Sequence, residues 1–586
     1  MATRGIYFGG RTILIPGAYA QGDASDLVEI TVGALNIVML VGESEGGEPN
    51  TPLVFNAAGQ DAALAVLRGG PLYEAARATW NPSPSSAGAD VVIAVRVNPA
   101  VRASHTFLSG AATPDNCLTV RARDYGKHGN NAQIQILAGT ADADARIVKV
   151  RKLEDGVDQT SPELGKVLGL AYTGNGTATA EVVEVYGEPR LVLSVTGATD
   201  GSASFTKTLT DADVATIAKL AGWLNAQTGF TTKVFGHDTM ASALLDRTAA
   251  PVPLSSTPTA LRGVNGAIAD WLNRFSPAAI AEVLTLDAVA PAGPVFLSGG
   301  GNGAPTLVHW KNALKQLESQ PGYFLVPCTG DALVHQACLE HVLRMSDIKI
   351  KRRRQLWVGH DPGLVTFSPD GTVDFDALEA AIFTLNSERC VYATPGIYRE
   401  SGGAKTLFGS WLLAAALAGM KAGGMPQESL TFKYVSALAV EGIFDSLEQE
   451  QAILAAATPL VPVPNKGFQV VLNQFAQTRT TNVLEVEPSV LHCADTLLTN
   501  LEMVLGEKYT GKPVTSDVTF RLNQIKGDTE KVLAEARRLG MLVGDAKVTR
   551  VTYQNRTYAV ELKAAIAEPG NYITIAAKWQ AVQGSV

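Results

Sequence analysis

The run Asn36-Ile-Val-Met-Leu-Val-Gly42 constrains this chain more than any other stretch. An uninterrupted apolar segment cannot make a strand with one wet face. It predicts a strand buried on both sides, as in a parallel sheet covered by helices. A second run, Asp90-Val-Val-Ile-Ala-Val-Arg-Val97, follows two spans of helical character, Ala58–Arg68 and Pro71–Trp80, which Gly69-Gly70 separates. Strand, helices and strand in this order predict a β-α-β unit.

The same grammar resumes far downstream. It predicts helices over Gly263–Phe275 and Ser276–Leu284, a short strand at Val295-Phe-Leu-Ser298 and an amphipathic helix over Thr306–Ser319. A strand Tyr323–Pro327, a helix Asp331–Lys351 with a basic end, and strands Arg354–His360 and Cys390–Gly396 follow. Basic residues at a helix C-terminus suit the negative end of its dipole. Between the two α/β stretches the period changes to two, as in Cys117-Leu-Thr-Val-Arg-Ala-Arg, Ala132-Gln-Ile-Gln-Ile-Leu and Arg146-Ile-Val-Lys-Val-Arg-Lys. Alternation of this kind predicts antiparallel sheet with one solvated face, here with a helix over Asp211–Asn225 on its edge. The simplest topology is one α/β sheet domain interrupted by a β-rich insertion.

The last third predicts an Ala-rich helix, Phe408–Lys421, and a helix Asp445–Ala456 started by Asp445. A strand Phe468–Phe475 comes next, then a helix Val490–Glu507 with one clean apolar face. Asp528–Leu539 reads as a helix with Asp528 as its cap and Gly540 as its stop. Three strand-like runs from Ala546 onward, broken at Gln554-Asn555-Arg556 and Pro569-Gly570-Asn571, close the chain. The expected class is α/β and α+β, multidomain: an arm 1–28, a discontinuous α/β domain 29–103 and 261–405, an inserted β-rich domain 104–260, an α+β domain 406–568 and a strand arm 569–586.

Bulk properties bound the partners. A chain of 586 residues is long enough for about three or four domains. A formal charge of −8 argues against a general nucleic-acid surface. Five scattered cysteines with no CxxC pair predict reduced thiols rather than a disulfide framework. The N-terminus lacks the apolar core of a signal peptide. No apolar run reaches the ~18 residues of a membrane span, the best being Gly409–Gly419.

Few residues suggest chemistry. Leu297-Ser-Gly-Gly-Gly-Asn-Gly303 could cradle a phosphate between strand and helix, which leaves a nucleotide-dependent enzyme using Gly299–Gly303 as the remote alternative. It matches neither the P-loop nor the GxGxxG spacing, so a plain turn is favoured. His335, Cys338 and His341 drift round their helix too far for a common metal, and predict a core cysteine between two partly exposed histidines. His360-Asp361 could be an acid–base pair, but no nucleophile motif accompanies it, and Asp-Pro-Gly is ordinary turn chemistry. Lys349–Arg354 could bind a polyanion; a solvated helix end or an intersubunit salt-bridge patch is favoured. No catalytic, cofactor-binding or metal-binding residue is assigned.

Several motifs in order resemble the contractile tail sheath proteins of bacteriophages. They are Ile15-Pro-Gly-Ala-Tyr19, Val41-Gly-Glu-Ser-Glu-Gly-Gly47 with Pro49-Asn50, Gly88-Ala-Asp90, Asp124-Tyr-Gly126 with Gly129-Asn130, and Leu297-Ser-Gly-Gly300 with Gly303. Asn465-Lys-Gly-Phe-Gln-Val-Val471, Glu487-Pro-Ser-Val-Leu-His-Cys-Ala-Asp495 and Tyr509-Thr-Gly-Lys512 continue the series. The resemblance implies a non-enzymatic subunit without cofactors that polymerises as stacked rings around a tail tube protein. Baseplate and tail terminator proteins would be its further partners, with no nucleic acid and no membrane insertion. It also implies a place in the virion tail after assembly in the host bacterial cytoplasm, with the 406–568 domain facing the tube. A contractile injection particle or bacteriocin sheath is the alternative within that family. Terminal arms that add strands to neighbours are implied too, and place the exchange on Ile13, Leu14, Ile15 and Tyr19 at one end and Tyr572, Ile573 and Ile575 at the other.

Overall fold

The computed structural model describes residues 6–8, 11–13, 36–368, 373–477, 482–513 and 518–571. Contacts divide the chain into two units, one of residues 1–44, 49–98 and 305–586 and one of 45–48 and 99–304.

The first unit is built on a nine-stranded sheet. In spatial order its strands are Tyr434–Val435, Gly467–Val470, Thr458–Val463, Cys390–Thr394, Gln355–Gly359, Phe324–Pro327, Ile37–Gly42, Val91–Arg96 and Pro52–Asn56. From Thr458–Val463 to Val91–Arg96 every pairing is parallel, and antiparallel strands finish both edges. The apolar runs are buried on both faces: Val38 and Leu40 enter one core, Met39 and Val41 another. Alternate side chains of a strand point to opposite faces, so the two cores are the two sides of one sheet.

One face carries the helix Ser410–Gly423, buried from Ser410 to Ala422, together with Pro71–Trp80. An all-round apolar helix is one that has no solvent face, and its small residues admit close approach. A Cβ on Gly359 would lie 2.2 Å from the Ser410 carbonyl carbon, and one on Gly419 2.3 Å from the Thr79 carbonyl oxygen. The other face carries Leu307–Leu317, Ala332–Met345, Asp376–Leu385 and Ser446–Leu454. Thr458–Val463 pairs with Cys390–Thr394, so the sheet runs on through the boundary expected at residue 406.

The second unit contains four antiparallel sheets around one apolar core. It reaches Ala304, beyond the expected 260, because Ala279–Val283 pairs with Asn116–Tyr125 and Ala292–Phe296 pairs with Gln133–Ala138. Residues 45–48 belong to this unit: Lys127 and His128 bind Glu45, and Tyr125 donates to Glu48 at 2.8 Å.

Three expected helices are corrected. Ser276–Leu284 forms the strand Ala279–Val283, since a short apolar run satisfies either period and the open partner strand decides it. The helix expected to reach Lys351 ends at Met345, where the chain turns to send Arg353 and Arg354 inward. Asp528 caps nothing; it lies inside the helix Val518–Arg538 and accepts from Tyr509 at 2.8 Å and from Lys508 and Lys531 at 3.0 Å.

Gly359→Ala is expected to lower stability in urea by at least about 1–3 kcal/mol, because the backbone of the buried helix would have to retreat. Gly222→Ala, in a helix with nothing within 4 Å of the added carbon, should instead stabilise by up to ~1 kcal/mol.

Candidate functional site

The surface best formed for binding is a hairpin near the chain end, Leu542–Gln554 paired with Thr557–Ile566. Its turn residues Asn555 and Arg556 both have positive φ, 50° and 65°, as the type I′ turn demands to match the twist of two strands. Tyr553 and Tyr558 pack across the strands with ring centroids 4.8 Å apart. Leu542, Val548 and Ala564 bury against Leu497 and Leu501 of the helix Pro488–Tyr509 and Leu533 and Ala536 of the helix Val518–Arg538. The opposite face is open, with Lys547 and Lys563 directly across from each other. Among the described residues no third strand pairs with either member. Within the described residues both lateral edges thus offer backbone donors and acceptors to an incoming strand.

The helix beneath the hairpin is fixed to the large sheet by charge. Tyr323, Arg353 and Arg389 lie one or two positions before the strands Phe324–Pro327, Gln355–Gly359 and Cys390–Thr394. Asp495 accepts both arms of the Arg389 fork, at 2.7 and 3.0 Å, and the Tyr323 hydroxyl at 2.9 Å. Arg353 donates twice to Glu502, at 2.8 and 3.1 Å. The Gln355 amide donates to the Pro488 carbonyl at 3.0 Å. Burial opposes the charge on Arg389, but the Asp495 carboxylate outweighs it and raises the guanidinium above its usual range. Burial and then the Asp495 charge push the Tyr323 phenol well up, which keeps it a donor.

His492 stacks on Tyr323, ring centroids 4.7 Å apart, and neither ring nitrogen finds a hydrogen-bond partner among the described residues. Burial, then the nearby Lys421 charge, holds it well below its usual value and therefore neutral. Lys421 is itself buried, which lowers it to about 8, and donates to the carbonyls of Met425, Pro426 and Glu428 at 3.2, 2.6 and 2.7 Å.

Of the residues expected to exchange strands, Ile13 ends the strand Arg11–Ile13, paired with Ile6–Phe8. Leu14, Ile15, Tyr19, Tyr572, Ile573 and Ile575 lie outside the described residues. The glycine loop uses its donors internally: the Gly300 N–H goes to Asn130 at 2.9 Å and the Gly301 N–H to Val101 at 3.3 Å. The helix that follows it is capped by Thr306 and His309. At the sheet's reversal point, where α/β proteins bind nucleotides, the strand ends pack closely: a Cβ on Gly42 would lie 2.7 Å from that of Cys328.

The two histidines expected to be partly exposed are buried. His335 meets the Thr329 carbonyl at 2.8 Å, and His341 meets Arg354. His360 is also buried, between the Asp361 carbonyl and Thr394. No cluster able to hold a metal occurs among the described residues. All five cysteines are free and buried. The basic run is corrected as well: Arg353 and Arg354 are internal, the latter donating to the carbonyls of Leu317 and Gln320 at 2.7 and 3.0 Å. No helix among the described residues is long and apolar enough to cross a membrane.

No model of a known protein family matches the sequence. The tail sheath protein of Bacillus phage SP01 is 27% identical over 583 residues, covering 97% of this chain and 96% of the relative. The tail sheath protein of Staphylococcus phage Twort is 24% identical over 573 residues, covering 91% of each. The chain is a homologue of phage tail sheath proteins. In fold it is similar to the sheath tail protein from Desulfitobacterium hafniense, with TM-score 0.52 and 14% identity over 94% of this chain and 100% of that one. The architecture shared with that sheath protein is mixed α/β and multidomain.

In this sheath homologue the Arg389–Asp495 pair should behave as a buried ion pair. Arg389→Met strands the carboxylate and should cost about 3–5 kcal/mol in urea denaturation, whereas Arg389→Met with Asp495→Leu should recover most of that loss. Stability should also fall as pH drops below ~6.5, because the unfolded chain takes up protons there and His492 in the fold does not. His492→Phe should reduce that slope by up to one proton, ~1.4 kcal/mol per pH unit, in urea midpoints collected across the window.

Proposed function

We propose that this chain is the structural subunit of the contractile tail sheath of a phage, polymerising in stacked rings around a tail tube and shortening to drive that tube through the host envelope. What carries the reading is similarity to tail sheath proteins over nearly the whole chain, 97% of it in one relative. Within that reading the hairpin is the acceptor. It is a two-stranded sheet, fastened to the large sheet through buried charges, and neither edge is paired among the described residues. Backbone hydrogen bonds from a neighbour's arm would complete it with little dependence on side-chain identity. The arms proposed to enter it are the segments around Ile13–Tyr19 and Tyr572–Ile575. The two compact units would then move as bodies hung on these connections, with the region 406–568 facing the tube.

The role is mechanical, without catalysis or cofactor. Its partners are other copies, the tail tube, the baseplate and the tail terminator, and its location is the virion tail after assembly in the bacterial cytoplasm. The relatives found are proteins of phages, which favours a phage over a related injection particle.

Deleting residues 1–20 or 569–586 should leave folded, soluble monomers that no longer form tubes, as read by sedimentation and negative-stain microscopy. Ordinary tubes from both deletions would rule out exchange through the arms.

A further inference from the structure

The helix Asp376–Leu385 turns one face outward along Asp376, Glu379, Ala380 and Phe383, a helical stripe that is acidic at its start and apolar at its end. Leu454 and Ala455, at the end of the next helix, form the facing wall, and the groove between them encloses about 440 Å³. Phe383 is 58% exposed and Leu454 79%; Leu447, two turns earlier in the helix of Leu454, is 70% exposed. Large apolar side chains gathered beside unpaired carboxylates mark a contact surface more than a solvated one. Neither Asp376 nor Glu379 forms an ion pair among the described residues.

The complement of this groove is present on the same chain. The basic run that sends Arg353 and Arg354 inward leaves Lys349, Ile350 and Arg352 outside, so the exposed part of the run is cationic with an apolar residue in its middle. The turn is rigid. The Asp347 carboxylate accepts from the Lys349 N–H at 2.9 Å, and its carbonyl accepts from Ile350 and Lys351 at 3.0 and 2.9 Å. Arg353 and Arg354 are locked by the Glu502 pair and by the carbonyls of Leu317 and Gln320. Lys349 forms no ion pair among the described residues.

We infer that the groove of one copy receives the Lys349–Arg352 turn of a second copy, Lys349 meeting the carboxylates and Ile350 the apolar end. Resting on the sheath reading, this adds a side-chain contact to the strand connections. Groove and turn are different surfaces, so the contact is heterologous and propagates instead of closing into a two-fold dimer. Charge also fixes register, because a slip would set the cation against the apolar end of the groove.

The test uses the full chain and reads the concentration at which it assembles, by sedimentation. Glu379→Lys and Lys349→Glu should each raise that concentration about tenfold, and the two together should return it toward the wild-type value. Glu379→Cys mixed with Lys349→Cys, mildly oxidised after assembly, should give an intermolecular disulfide, because the native cysteines are buried and do not compete. Reversals that leave assembly unchanged, or that add without rescue and without the cross-link, overturn this contact while the sheath reading stands. A wild-type chain that forms no polymer at all overturns both.

Discussion

A parallel sheet has no face that it can leave wet, and the first unit is arranged around that requirement. Its strands are apolar on both sides, so each face needs a helical layer, and the layers differ in kind. One is formed chiefly by a helix with no polar face, drawn so close at Gly359 and Gly419 that backbone meets backbone. The other is a row of amphipathic helices, each with one side left for solvent or for a partner. The burial that makes the sheet rigid also gives the C-terminal helices something firm to bind.

That attachment works on a different principle. The residues just before three neighbouring strands, Tyr323, Arg353 and Arg389, form a polar row at one end of the sheet, and the helix Pro488–Tyr509 lies on it through Asp495 and Glu502. Buried pairs of this kind contribute little net stability relative to apolar packing but penalise any displacement that separates the charges. The C-terminal hairpin thus has a defined position relative to the sheet, as the proposed strand-acceptor role would require.

The strand runs of the large sheet were legible because burial on both faces leaves an unmistakable pattern. Ile37–Gly42 and Val91–Arg96 fall where their apolar runs predict, and the first two strand-like runs, broken at Gln554-Asn555-Arg556, pair as the C-terminal hairpin. What stayed hidden depends on distant partners. Arg353 and Arg354 look like the solvated end of a helix until Glu502 and the Leu317 carbonyl come within reach. His335 and His341 look amphipathic until the strands close over them. Ala279–Val283 looks helical until Asn116–Tyr125 offers its edge. Asp528 has every local mark of a cap, yet Tyr509, Lys508 and Lys531 hold it mid-helix. The candidate site was half visible: its strands could be read from the sequence, whereas their pairing and their fastening through residues more than a hundred positions away could not.

The two ends of the large sheet bear on fidelity. One border is the strand Pro52–Asn56, which begins with a residue that cannot donate a backbone hydrogen bond; the other is the two-residue strand Tyr434–Val435. Such borders are poor templates for a stray chain. A protein accumulating at high concentration before use risks indiscriminate sheet-to-sheet aggregation. Under the proposed strand exchange, blunt borders on the broad sheet would leave recruitment to the narrow C-terminal ribbon, so that polymerisation and accidental clumping would not compete for the same surface.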